Sequence, residues 1–212
     1  MKILFSLVFA ATLSTVSQQA GAATITVLVS DSAGKPLADT VVVVDPEPGV
    51  TVARMPKPGK IEQRGLQFMP LVSVIQTGSE LSFPNLDKVR HHIYSFSPAK
   101  KFDQKLYSGV AAAPQVFDKA GTVVLGCNIH DRMVAYVRVV DSPYFARTDG
   151  AGIARIDMPA AGTYTVSAWH YNMAGQTATQ AASLSGGQGI SLSFKLTLKP
   201  SATQAQAGSS SY

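Results

Sequence analysis

Hydrophobic and polar positions alternate along this chain with the period of β-strands. Short segments either alternate apolar with polar residues or form apolar runs of strand length. No window of about 12 residues shows the helical period, so any helix is expected to be short. The pattern predicts strands at residues 24–30, 40–44, 71–76, 80–84, 92–97, 122–126, 134–140, 152–157, 163–169 and 189–198.

Two consecutive segments depart from simple alternation. Valines dominate the run 40–44, a pattern typical of a strand that is buried on both faces. The stretch 45–60 then carries Pro46, Pro48, Pro56 and Pro58, which predicts a loop or linker. Many short strands separated by turn residues predict an all-β fold with β-sandwich architecture.

The two ends of the chain have the composition of segments outside a fold. Lys2, the apolar run 3–13 and the small residues Ala20 and Ala22 predict a signal peptide over 1–22 and export to a periplasm. No later segment approaches the roughly 20 apolar residues of a transmembrane helix, so no membrane span is expected. Residues 200–212, rich in Ser, Ala and Gln, predict a disordered tail.

Composition narrows the possible chemistry. The chain has 212 residues and a formal charge of +5, from 18 basic against 13 acidic side chains. It has no dense basic stripe or nucleic-acid motif, so nucleic acid is not an expected partner. The single cysteine excludes an intrachain disulfide and any multi-cysteine zinc or iron–sulfur site. In an oxidising compartment this thiol, Cys127, is exposed to damage unless something occupies it.

The lone cysteine belongs to a compact group of metal-ligating residue types. Cys127, His130 and Met133 form Cys-x2-His-x2-Met between two predicted strands. A tight loop would let thiolate, imidazole and thioether converge. With a second histidine this is the His2Cys set with a weak axial Met that suits copper electron transfer. His91 and His92, next to another predicted strand, are the two candidates for that histidine.

The order of these residues resembles the plastocyanin- and amicyanin-type cupredoxins. Asn-x-Asp-x3-His, from Asn85 to His91, precedes Cys-x2-His-x2-Met, and the stretch 67–145 is similar to exported cupredoxin-like proteins often labelled methylamine utilization proteins. The resemblance implies a Greek-key cupredoxin β-sandwich with one mononuclear type 1 copper. It implies as copper ligands His91, Cys127, His130 and Met133.

The remaining histidines are expected to have other roles. The spacing from Asn85 favours His91 over His92 as the ligand. In similar proteins an asparagine commonly follows the first ligand histidine and braces the ligand loop, whereas His92 stands here. His92 is expected to face solvent or a hydrogen-bond partner, and His170 is not expected to bind the metal.

The segments on either side of this unit resemble parts of a second, smaller module. Residues 25–44 and 148–166 are similar to strands of transthyretin-like or carboxypeptidase-regulatory-like β-sandwiches. Neither flank has enough strands to bury its apolar face alone, so we expect them to pair. The prediction is a split sandwich of 23–48 and 142–199 with the cupredoxin domain, 49–141, inserted. The alternative is an N-terminal extension of the cupredoxin and a separate C-terminal domain.

These residues predict an electron carrier rather than an enzyme. With His91 and His130 as copper ligands, two histidines and no second cysteine remain in the sequence. These are too few for the further copper site of a self-contained multicopper enzyme. The expected partner is a redox protein such as a c-type cytochrome or a periplasmic dehydrogenase. Copper storage, delivery or presentation to a partner remains open as an alternative. The basic residues Arg54, Lys57, Lys60 and Arg64 predict either a solvated loop or a docking patch for an acidic redox partner.

Overall fold

The computed structural model describes residues 23–107, 113–130, 132–159, 161–185 and 187–200. This part of the chain is all-β, as predicted, and it contains no helix that could cross a membrane. The predicted signal peptide, and the predicted tail beyond residue 200, lie outside the described residues. The strands are β1 (Ala23–Asp31), β2 (Val41–Pro46), β3 (Gly59–Lys60), β4 (Glu62–Gln63), β5 (Phe68–Met69), β6 (Val72–Gln76), β7 (Ser79–Ser82), β8 (His91–Ser97), β9 (Lys100–Tyr107), β10 (Gln115–Phe117), β11 (Gly121–Cys127), β12 (Val134–Val140), β13 (Phe145–Arg147), β14 (Ile153–Met158), β15 (Gly162–Trp169), β16 (Ala178–Leu184) and β17 (Ile190–Leu196).

The N-terminal strands pair with strands from the C-terminal part of the chain. β1 lies between β14 and β17, antiparallel to the first and parallel to the second. β2 lies between β13 and β15, and β16 completes that sheet. Side chains of both sheets, among them Val27, Val44 and Val166, share one buried cluster. The two flanks therefore bury their apolar faces against each other, while the predicted domain boundaries stay a prediction.

The middle of the chain forms two larger sheets and a short two-stranded sheet, β4-β5. One sheet has five strands in the order β6-β12-β11-β8-β9, and the other has three in the order β10-β7-β3. Leu81 of β7 and Phe117 of β10 share a buried cluster with Ile93, Leu125 and Val137 of the larger sheet. This shared cluster is the core of a β-sandwich, and Cys127 belongs to it.

Strand β2 joins the flanking sandwich to the five-stranded sheet. Val42 and Val44 belong to the core of the flanks, whereas Val41 and Val43 pack in a separate cluster with Val72 and Val140. All four β2 valines are buried. This confirms a strand buried on both faces at this position, because each face of β2 has its own apolar partner.

Seven of the 17 strands in the described residues lie outside the predicted segments, and the longest of them are β9 and β16. β9 and β16 are both edge strands, and their sequences, KKFDQKLY and ATQAASL, contain few β-branched residues. In β9 the buried Gln104 stands where an apolar residue would have marked the inward face. Strand β8 also begins at His91, one residue before the predicted start.

The topology predicts that the C-terminal flank does not fold alone. A fragment of residues 146–200 lacks β1 and β2, the strands that occupy interior positions in both flanking sheets. Without them β14 and β17 lose their hydrogen-bond partner, β15 keeps only β16, and the valines of β1 and β2 no longer fill the core. We expect the fragment to show no cooperative thermal unfolding by circular dichroism, in contrast to the chain from residue 23 onward. A cooperative transition with well-dispersed amide resonances would contradict this and favour an independent C-terminal domain.

Candidate metal centre

Strand pairing brings the first two candidate ligands together. β8 and β11 are antiparallel neighbours, with Cys127 opposite Ile93. His91 lies two residues before Ile93 and therefore on the same inward face of the sheet. Both His91 and Cys127 are buried, and the imidazole Nδ1 lies 3.9 Å from the cysteine Sγ.

His130, in the turn after β11, completes a group of three. Its ring centroid is 5.1 Å from that of His91, with the rings edge to face. One ligand atom from each of His91, Cys127 and His130 lies within 4.8 Å of the other two. His130 is partly exposed, so the group is buried on the strand side and reaches the surface at the turn.

The donor set and spacing of this group fit a copper ion. Bonds of about 2.0 Å to nitrogen and 2.3 Å to sulfur, roughly 120° apart, place ligand atoms about 3.5–3.7 Å from one another. Among the described residues, His130 Nδ1 is buried and has no hydrogen-bond partner, which costs about 1–3 kcal/mol unless a ligand satisfies it. A thiolate with two imidazoles is the equatorial set that suits copper.

Met133 is buried close to this group along the chain. Its backbone N–H donates to the His130 carbonyl over 2.9 Å, which closes the turn between the two residues. The Met133 side chain is buried in the same cluster as Cys127. An inward Met133 agrees with the alternation of β12, and its axial bond to copper stays a prediction.

The structure places His92 and His170 away from this group. His92 lies on the opposite face of β8, where its Nε2 contacts the carboxylate of Asp103 in β9. His170 is buried after β15, and its Nδ1 accepts a 3.1 Å hydrogen bond from the backbone N–H of Asn172. Burial lowers the pKa of His170, against an opposing charge effect from Asp39. Both histidines thus have partners within the protein.

Asn85 braces the loop that leads into His91. Its amide Nδ2 donates to the carbonyls of Val89 at 2.8 Å and Tyr107 at 3.0 Å. Its Oδ1 accepts from the backbone N–H of Asp87 at 2.9 Å. The buried Asn85 therefore holds the loop before His91 in place, whereas the His92 side chain points to the other face of β8.

Asp87 holds the far side of the His91 ring. Its Oδ2 lies 2.8 Å from His91 Nε2, and the carboxylate also accepts from the backbone N–H groups of Gly65 at 2.6 Å and Leu66 at 3.1 Å. Burial raises the pKa of Asp87, but the hydrogen bonds from His91, Leu66 and Gly65 outweigh it and leave the pKa below its usual value. The motif Asn-x-Asp-x3-His contained this residue, although spacing alone did not assign its role.

A polar pair near the site, the buried Gln63 and the half-buried Tyr107, was missed from the sequence. Gln63 donates to the Phe83 carbonyl at 3.1 Å and contacts the hydroxyl of Tyr107, which in turn donates to the same carbonyl. Burial raises the pKa of Tyr107 to about 12, with Cys127 adding to the rise and the Gln63 hydrogen bond opposing it. The phenol is thus a protonated donor near the thiol. No local signal marks this pair, because its members come from β4 and β9.

The exposed side of the group opens into a small cavity. This opening has a volume of about 370 Å³ and is lined by Gly65, Leu66, Gln67, His130 and Arg132. His130 therefore borders this opening on the surface of the protein. The turn at Gly65 and Leu66, held by Asp87, forms one of its walls.

No protein-family model matches the sequence, and no curated protein matches it either. The solved structures that it resembles include a purple cupredoxin, a copper-containing nitrite reductase and amicyanin. A purple cupredoxin from Nitrosopumilus maritimus is 23% identical, with a TM-score of 0.34, over 38% of this chain and 98% of that one. A Cu-containing nitrite reductase from Thermus scotoductus is 24% identical, with a TM-score of 0.37, over 53% of this chain and 28% of that one. An amicyanin variant in the Cu(I) form is 14% identical, with a TM-score of 0.36, over 39% of this chain and 81% of that one. Copper binding by this chain is inferred from its own side chains.

The two adjacent histidines give a direct test of the ligand set. We expect Cys127→Ser to abolish the thiolate-to-copper absorption band, because a hydroxyl is a poor soft ligand. His91→Gly is expected to destroy or open the site, whereas His92→Asn loses only a contact on the outer face and keeps the colour. Visible absorption after Cu(II) addition measures all three. The reverse result for the histidines would move the ligand to His92, and an unchanged spectrum in Cys127→Ser would refute the site.

Proposed function

We propose that this protein is an exported type 1 copper protein of cupredoxin kind that carries single electrons between redox partners. The supporting observation is the convergence of His91, Cys127 and His130 within 4.8 Å, buried on one side and open on the other. Copper bound there would cycle between Cu(I) and Cu(II). The protein itself transforms no substrate.

The surroundings of the site favour fast electron transfer over ligand exchange. His91 and Cys127 are fixed by paired strands, and Asp87 and Asn85 hold the loop before His91. Ligands held in this way move little when the oxidation state changes, so the reorganisation energy stays small. His130 offers a partly exposed ring as the route for the electron.

The surface around His130 suits a short-lived protein contact. Leu66, Leu86, Val89 and Ile129, here called the ligand-end patch, are exposed although apolar. Leu66 shares the opening with His130, Ile129 precedes His130, and the other two flank Asp87 in the loop before His91. Exposed apolar patches commonly mark interaction sites. We infer a redox protein as the partner, of the c-type cytochrome or periplasmic dehydrogenase kind.

The basic stretch contributes less to this surface than its sequence suggests. Arg54 pairs with Asp141 at 3.2 Å, and Lys60 and Arg64 both pair with Glu62, at 2.7 and 3.3 Å. These exposed pairs offset part of the positive charge, which favours a solvated loop over a dedicated docking patch.

Export and the absence of catalysis belong to the same proposal. The predicted signal peptide directs the chain to the periplasm, where copper on Cys127 would protect the thiol from oxidation. His92 contacts Asp103 and His170 accepts from Asn172, so neither is poised to build a further copper site in the described part of the chain. The protein is therefore proposed to act as a carrier.

Optical and electron paramagnetic resonance spectra of the copper-loaded protein test this function. We expect an intense visible band from thiolate-to-copper charge transfer. Reduction should be reversible and give a colourless Cu(I) form in which the copper stays bound. A protein that holds only Cu(I) and never develops the band would favour storage or delivery instead. Preferential retention of zinc over copper would contradict both readings.

Substitution of Met133 tests the axial position. A soft, neutral thioether favours Cu(I), so Met133→Gln, which offers a harder amide oxygen, should lower the reduction potential and keep an altered colour. Met133→Leu removes the ligand without a harder replacement, so the potential should rise or hold. A tenfold change in the redox equilibrium corresponds to about 59 mV in voltammetry. A glutamine variant unchanged to well within that margin would show that Met133 is only a core residue.

A further inference from the structure

A single carboxylate joins the two walls of the candidate copper site. Asp87 Oδ2 lies 2.8 Å from Nε2 of His91, the ring nitrogen that faces away from Cys127. The same carboxylate accepts hydrogen bonds from the backbone of Gly65 and Leu66, in the turn that lines the opening beside His130.

The first consequence concerns the proton on the His91 ring. A carboxylate can only accept, so Nε2 of His91 must carry the hydrogen. The neutral ring then presents its lone pair at Nδ1, 3.9 Å from the Cys127 sulfur. Asp87 therefore selects the tautomer in which His91 is ready to bind a metal beside the thiol.

The second consequence concerns the electron density on the ring. Carboxylate–histidine–metal arrangements raise the basicity of the ligand nitrogen, because the acceptor draws the N–H proton towards itself. A more basic ligand, with a negative charge behind it, stabilises Cu(II) more than Cu(I). Asp87 is thus placed to lower the reduction potential.

The third consequence concerns the loop that faces His130. Gly65 and Leu66 both have positive φ, 62° and 57°, and Leu66 is a residue type that seldom adopts this conformation. Their two backbone N–H groups converge on the Asp87 carboxylate, which offsets the strain of the turn. The Asp87 side chain thereby holds both the buried His91 ring and the turn that lies beside the partly exposed His130.

We propose that Asp87 is the positioning residue of the copper centre: it sets the tautomer of His91, biases the site towards Cu(II), and fastens the Gly65–Leu66 turn beside His130. The copper part of this inference rests on the proposed function. The tautomer part concerns the metal-free protein and can be tested without it.

The chain offers a matched control for this residue. Asp103 contacts Nε2 of His92 on the opposite face of the same strand, so it makes a similar carboxylate–imidazole contact outside the site. Asp87→Asn removes the charge but keeps an acceptor oxygen, whereas Asp87→Ala removes both. Asp103→Asn changes the other pair alone, and thermal unfolding of each variant checks that it folds.

Nitrogen NMR of metal-free protein and voltammetry of copper-loaded protein are the two readouts. In the metal-free wild type and in Asp103→Asn we expect His91 as the Nε2–H tautomer, and in Asp87→Ala a mixture of tautomers. With copper, Asp87→Asn should shift the redox equilibrium about tenfold towards Cu(I), or about 59 mV. Asp87→Ala should also weaken Cu(II) binding about 10- to 100-fold.

The two readouts separate failure of this proposal from failure of the proposed function. A pure Nε2–H tautomer in folded Asp87→Ala, or a potential in Asp87→Asn equal to that of Asp103→Asn, would overturn the role of Asp87. A wild type that develops no thiolate-to-copper band would refute the proposed function, and the tautomer measurement would still decide whether Asp87 positions His91.

Discussion

The register between β8 and β11 is the constraint on which the candidate site depends. With Cys127 opposite Ile93, His91 points into the core beside the thiol and His92 points away from it. A slip of one residue would reverse the faces of β8, because side chains alternate along a strand. The slip would also expose Ile93 and pull His91 away from Asp87, so packing and hydrogen bonding select the same register.

The flanking sandwich braces the side of the five-stranded sheet that does not hold the candidate ligands. Tyr136 of β12 stacks on Tyr171, with ring centroids 4.9 Å apart, and the guanidinium carbon of Arg138 lies 5.5 Å from the ring centroid of Trp169. These contacts cover the outer face of β12, the strand that pairs with β11, which carries Cys127. Among the described residues, those that line the opening beside His130 all come from the segment 49–141 and none from the flanks. Such an arrangement stiffens the scaffold without blocking access to the ligand-end patch.

Which features could be predicted from the sequence depends on how far apart along the chain the interacting residues lie. Cys127, His130 and Met133 fall within one turn and its flanking strands, so their spacing indicated a candidate site, and the β2 valines indicated a strand buried on both faces. Gln63 and Tyr107 meet only through long-range strand pairing, and no local pattern announces such a contact. The edge strands β9 and β16 escaped prediction because one side of an edge strand has no partner and its polar residues carry little strand signal.

The candidate ligands are held by interactions that exist without a metal. His91 is tied to Asp87, Cys127 is fixed by the ladder between β8 and β11, and the His130–Met133 turn is closed by a backbone hydrogen bond. In a zinc finger, by contrast, the fold forms only when the metal binds. A site assembled in advance loses little conformational entropy on binding, so more of the binding energy appears as affinity. Copper bound to such a site would add stability by mass action, because it binds the folded chain in preference to the unfolded one. Folding of the strands would therefore come first and metal loading second, with the opening beside His130 as the route of entry.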